Sequence, residues 1–241
     1  MLSQLDYLRD FNTASVFLRL ILALVMGGLI GLDRGLRHRP AGPRTYTLVC
    51  IGASLTMVLS QYEYVMLTTD WAPMAEAVGL RTDVSRFGAQ VINGIGFLGA
   101  GTIIFTGSQQ VKGLTTAAGL WASACMGLAI GAGFYEAALI ACLMIVLVIT
   151  LFGHVEAFIM KHSRNMNLLV HFETLEDVSV VMEKIRAGNN VVYDVEMNKG
   201  KEALGEGPSA IFSIKLAKRV SHASVIMSVA GVESVRSITE L

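Results

Sequence analysis

Asp83, Ser85, Arg86, Gln90 and Asn93 stand at the edge of an apolar stretch, at helical spacing. On one helix, Asp83, Arg86, Gln90 and Asn93 follow i, i+3, i+7 and i+10 and share an arc of about 80°. A carboxylate, a guanidinium and two amides on one face suit an ion or a small polar solute. They equally suit hydrogen bonding between helices, because buried amides in an apolar medium need partners. Both uses predict that this face points into a bundle or a wet cavity. A second set, Asp33, Arg34, Arg44, Thr45, Thr47, Thr115 and Thr116, gathers at the ends of apolar runs. Asp33 and Arg34 lie at a helix end beside glycines and are expected to pair with another helix. Arg37 and Arg39 are read as topology signals alone. Mg²⁺ prefers carboxylates and water, but Asp33 and Asp83 fall at opposite membrane faces in the topology below. No metal site is assigned.

Other chemistry is excluded by spacing. The five histidines show no metal-ligand pattern, and nothing resembles a nucleophile motif. Cys50, Cys125 and Cys142 each lie inside an apolar run and read as small buried hydrophobes. Gly94-Ile-Gly-Phe-Leu-Gly99 spells G-x-G-x-x-G, but it lies inside an apolar run instead of between a strand and a helix. With no positioned acid, base or nucleophile, neither an enzyme nor a cofactor is expected. A net charge of zero gives no basic field for nucleic acid.

The elements that must position these residues belong to two solvents. The chain has 241 residues, 53% hydrophobic and 16% charged, with mean hydropathy +0.57. Residues 1–160 carry 18 charged side chains, whereas residues 161–241 carry 20 in half the length. A membrane part over 1–160 and a water-soluble part over 166–241 follow. Five apolar runs, 16–32, 45–65, 89–105, 114–132 and 135–152, are each long enough to cross about 30 Å of hydrocarbon as a helix. The first ends in Leu32-Asp33-Arg34 with no small-residue cleavage site, so it does not read as a signal peptide.

Arg34, Arg37, Arg39 and Arg44 crowd the first loop and place it in the cytoplasm by the positive-inside rule. The N-terminus and the loop from Met66 to Gly88 are then outside. The loop Thr106–Gly113 with Lys112 is inside, and the C-terminal part is cytoplasmic. Arg19, about a turn inside the first span, is expected to snorkel outward. Gly27, Gly31, Gly94, Gly96, Gly99, Gly101, Gly127 and Gly131 are read as helix-packing positions, several in small-xxx-small pairs. A weak parallel repeat relates Gly31–Thr47 to Gly99–Thr116. Such repeats occur in transporters, and coincidence among glycines explains it equally well.

The soluble part reads as β-α-β-β-α-β. Its strands are expected at 168–172, 191–197, 210–216 and 232–238, and its helices at 175–186 and 222–230. Thr174 with Asp177 resembles a capping box, and Ser221 caps the second helix. Asn198–Ser209 is a Gly/Glu/Lys-rich loop. This order is the ferredoxin-like plan and suits an ACT-like module that dimerises or senses a partner.

Gly27-Gly-Leu-Ile-Gly-Leu-Asp-Arg34, Arg39-Pro-Ala-Gly-Pro-Arg-Thr-Tyr-Thr-Leu-Val-Cys50, Asp83-Val-Ser-Arg86, Gly94-Ile-Gly-Phe-Leu-Gly-Ala-Gly-Thr-Ile103 and Gly113-Leu-Thr-Thr-Ala-Ala-Gly-Leu-Trp121 occur in that order. Together they resemble the MgtC/SapB family across the whole membrane part, and the ACT-like tail matches a common arrangement there. Asp33 stands where the family usually has Glu, and Pro43 where it has Leu. The resemblance implies a multi-pass bacterial inner-membrane protein tied to growth in low magnesium and, in pathogens, to virulence. It implies a regulator of cation homeostasis and membrane energetics that acts through another membrane protein, the ATP synthase among them. The rival is a transporter or channel for Mg²⁺ or another small solute. Lipid bilayer and a homodimer complete the expected partners.

Overall fold

Asn12 opens the first long helix. Its side chain accepts from the Ser15 amide at 2.8 Å, while the Asn12 amide donates to Ser15 Oγ at 3.1 Å, a reciprocal capping box. A computed structural model describes residues 7–37, 39–105, 111–174, 176–198, 207–218 and 220–241. The expected loops at 106–113 and 198–209 therefore fall largely outside the described residues, as do His38 and Leu175. By contact, the chain divides into two compact units, Met1–Val155 and Glu156–Leu241.

In the first unit α1 covers Thr13–Leu36 and α2 covers Pro43–Thr68. Pro43 occupies the first turn of α2, where a missing N–H costs nothing and a fixed φ favours entry. A short α3, Ala72–Ala77, precedes α4, Ser85–Ala100. A two-residue ladder, β1 (Ile104–Phe105) with β2 (Val111–Lys112), leads to α5, Leu114–Gly131. Helix α6, Tyr135–Leu147, continues through a π-helical turn at Val148–Phe152 into α7, Gly153–His162.

Among the described residues, four helices are long and apolar enough to cross a membrane: Thr13–Leu36, Pro43–Thr68, Leu114–Gly131 and Tyr135–Met160. The third apolar run behaves differently from expectation. Its helix begins at Ser85 and stops at Ala100, and the chain then turns into β1. Sixteen residues reach about 24 Å, short of the roughly 30 Å of hydrocarbon.

Glycines set the spacing of this bundle. A Cβ on Gly27 would stand 2.9 Å from Cys50 Cβ and from the Thr47 Cα, so α1 and α2 touch backbone to backbone there. Gly127 and Gly131 bring α5 closer still to α2, at the Cys50 and Ser54 carbonyls. Between these contacts lies a core of Ala23, Met26, Ile30, Tyr46, Cys50, Leu120, Ala124 and Ile130.

The second unit holds β3 (Asn165–Phe172), α8 (Asp177–Ala187), β4 (Val191–Asn198), β5 (Ser209–Lys215), α9 (His222–Ala230) and β6 (Val235–Glu240). All pairings are antiparallel, in the spatial order β4-β5-β3-β6. Met166, Leu168, Val170 and Phe172 alternate inward on β3 and meet Ala210, Phe212 and Ile214 of β5. Val178, Val181 and Ile185 of α8 and Val225 and Val229 of α9 cover the same face. Phe172 and Phe212 pack edge to face, with centroids 6.2 Å apart. Helix α8 starts at Asp177, which accepts from the Thr174 amide at 3.1 Å and from its hydroxyl at 2.8 Å. Ser221 caps α9 by accepting from the Ser224 amide.

His222 ties this unit together by charge. Its Nδ1 meets the Glu240 carboxylate, and its Nε2 lies 2.9 Å from the Ser163 carbonyl. Both partners are acceptors, so only the imidazolium donates to both. The Glu240 hydrogen bond, then the Ser163 carbonyl, raises the His222 pKa above its ordinary value. The folded state therefore holds this proton more tightly than the unfolded chain. Its stabilisation is fully present below pH about 6.5 and is lost as pH rises through the raised value. The thermal midpoint of the second unit in the full chain should fall between pH 6 and 8, and His222→Gln should flatten that slope. An unchanged slope in the variant would assign the pH dependence to other groups.

Candidate functional site

Polar side chains gather at three places in the helical unit. Arg19 forms the first. It is fully buried, so it does not snorkel outward. Its Nη1 donates to Gln61 Oε1 and to the Gly131 carbonyl at 2.9 Å, its Nη2 to the Arg9 carbonyl at 2.8 Å, and its Nε to the Tyr135 hydroxyl at 3.4 Å. The Gly131 carbonyl belongs to the C-terminal, negative end of α5, which favours a cation. A second shell completes the knot. Gln61 Nε2 donates to the Ala132 carbonyl at 3.1 Å, Tyr135 donates to the Leu8 carbonyl at 2.6 Å, and Arg9 pairs with Glu136. The guanidinium is held by oxygens from four segments and reads as a structural clamp.

The second place lies at the other end of α1. Arg34 is buried, and its Nη2 donates to Thr116 Oγ1 at 2.6 Å. The Tyr46 hydroxyl donates to the Thr116 carbonyl at 3.4 Å. Asp33 finds its partner at the C-cap of its own helix, accepting from Arg37 Nε at 3.0 Å. Arg37, expected to mark topology only, is thus part of the cluster. Asp33 Oδ2 and Arg34 Nε are buried without a partner. Thr47 sits in the α1–α2 seam beside Gly28. Arg44, Thr45 and Thr115 are exposed, and among the described residues no side-chain hydrogen bond joins them to Asp33, Arg34 or Thr116. Among the described residues, no three His, Cys, Asp or Glu side chains lie close enough to hold a metal ion.

The third place is α4. The Asp83 carboxylate accepts from the Ser85 amide at 2.9 Å and the Ser85 hydroxyl at 2.6 Å, which holds its carboxyl below the usual range. Asp83, Ser85, Arg86, Gln90 and Asn93 are all exposed. Phe97 continues their face and is 83% exposed. The helix packs by its opposite side, where Ile95 and Gly99 are buried. The polar face therefore points away from the bundle, contrary to the inward orientation expected. A Cβ on Gly99 would meet Ala117, and one on Gly88 would meet Leu128. Helix α4 thus runs antiparallel to α5, and Asn93 lies level with the middle of that apolar helix. Gln90 and Asn93 have no hydrogen-bond partner among the described residues. In hydrocarbon each unpaired amide costs several kcal/mol, on the order of 2–7. Gly94 and Gly96 have open space where a Cβ would stand, so among the described residues no helix packs on them, while Gly101 meets only its own turn.

Sequence reasoning missed the Arg19 clamp and the parts played by Gln61, Tyr135 and Tyr46. A guanidinium and an amide in two apolar runs were the available signal.

The sequence profile of the MgtC family matches residues 20–158. The Escherichia coli K12 protein named "Putative magnesium transporter YhiD" is 38% identical over 156 residues, covering 65% of this chain and 69% of that protein. An uncharacterised Haemophilus influenzae protein is 38% identical over 160 residues, 65% of each chain. Protein MgtC of Brucella abortus is 44% identical over 126 residues, covering 52% of this chain and 46% of that protein. No solved structure matches.

Proposed function

The chain belongs to the MgtC family, and on that premise we propose that it supports adaptation to low magnesium by regulating cation homeostasis and membrane energetics through a membrane partner. One observation carries this reading. The polar groups inside the bundle are largely engaged by one another, whereas Gln90 and Asn93 lie on its outer surface with no hydrogen-bond partner among the described residues, Asn93 level with the middle of α5. A solute route calls for polar groups enclosed by helices, while an outward amide strip suits docking against protein. The ATP synthase is the partner that the family resemblance suggests.

In this reading the protein is a multi-pass inner-membrane protein. Helix α4 counts as the fifth crossing, because it spans the same depth as α5 despite its length. The arginines after α1 then keep that loop cytoplasmic, with the N-terminus outside and the soluble unit inside. The β-α-β-β-α-β unit serves as an ACT-like sensor. The second reading, a transporter, is favoured by the name of the Escherichia coli relative and by the polarity of the same strip.

Flux separates the two. Full-length protein in liposomes, with Mg²⁺ and proton dyes inside, is expected to show no flux above protein-free vesicles. Flux that disappears in Asn93→Leu would replace regulation with transport along α4.

A further inference from the structure

We propose that a second copy of this chain covers the outward face of α4, forming a parallel two-fold pair within the membrane. The inference rests on reading that face as a docking surface and names its occupant. Two copies inserted in the same direction relate by an axis normal to the membrane, so α4 meets α4 in parallel and equal residues face one another. The side chains suit that meeting. An Asn or Gln amide carries both donors and an acceptor, so Asn93 pairs with Asn93 and Gln90 with Gln90, which no single-function group does. Asp83 and Arg86, one turn apart at the end of the same face, carry opposite charge, so the face is neutral overall and does not by its net charge repel a copy of itself. A face of one sign would instead call for a partner of the other. Gly94 flanks Asn93 with nothing within 4 Å of a would-be Cβ, which lets the backbones approach. Phe97, 83% exposed, closes the seam one turn beyond. Any action on a further membrane protein would then be exerted by the pair.

Phe97 replaced by p-benzoylphenylalanine in the full chain, irradiated in native membranes, tests this directly. The expected product is a cross-link between two copies, with α4 of one mapped by mass spectrometry onto α4 of the other. Asn93→Leu in the same chain should lower its yield roughly tenfold, the effect of losing about one interhelical amide pair, and Asn93→Gln should retain most of it. Cross-linking to a different protein alone would overturn the second copy and leave the docking reading standing. Cross-linking to lipid alone would overturn both. A copy-to-copy product that keeps full yield in Asn93→Leu would overturn the amide pairing that the proposal rests on.

Discussion

Arg19→Met should lower the stability of the helical unit by about 3–5 kcal/mol, the sum of several acceptors deprived of one donor less what relaxation recovers. Methionine fills much of the volume but donates nothing. Gln61 Oε1, the Gly131 and Arg9 carbonyls and the Tyr135 hydroxyl would lose their donor together. Each buried acceptor left without one costs about 1–3 kcal/mol, and relaxation recovers part of the sum. Arg19→Lys keeps the charge but gives up the planar fork, so it should fall between Met and the native residue. Thermal unfolding of the full chain in detergent, followed by size-exclusion of the surviving monodisperse protein, measures the order. A methionine variant as stable as the native protein would show that the guanidinium reaches water.

Gly127→Leu should be comparably damaging for a steric reason. Even the first carbon of a side chain there would lie within 3 Å of Ala53 Cβ and closer still to the Cys50 carbonyl, which is backbone and cannot swing away. Overpacking a close seam costs typically 1–3 kcal/mol, and more when backbone must move. Gly96→Leu supplies the contrast, since among the described residues no other element comes within 4 Å of a Cβ at that position. The same thermal measurement should show a large loss for Gly127→Leu and little for Gly96→Leu. Equal losses would mean that helix propensity, not the α2–α5 seam, sets the requirement at Gly127.

Particular residues show what could be read from the sequence and why. Helices α1 and α2 follow from long apolar runs, and the inward alternation of β3 follows from Met166, Leu168, Val170 and Phe172. The end of α4 was illegible because residues 101–105 stay apolar, and hydropathy does not register where backbone pairing passes from helix to ladder. Spacing placed Asp83, Arg86, Gln90 and Asn93 on one face but gave the wrong direction. In water, polarity points outward. In hydrocarbon both sides of a helix are dry, and shape decides, here through Gly88, Ile95 and Gly99 on the opposite side. The Arg19 clamp was hidden for another reason. Two of its acceptors are main-chain carbonyls, which every residue carries and no motif announces.

The clamp also imposes an order in time. Arg19 and Tyr135 are 116 residues apart. At roughly 5–20 residues per second, synthesis takes on the order of 6–23 s to make that distance. When α1 emerges, only the Arg9 carbonyl is at hand. Gln61 follows 42 residues later, and Gly131 and Tyr135 come last. The first of the four long apolar helices thus carries a charge whose solvation is delivered by the last of the four, so assembly closes only when α6 arrives. A nascent chain stalled before Gly131 would hold an incompletely solvated guanidinium at the edge of the bilayer, a mark by which unfinished copies differ from finished ones.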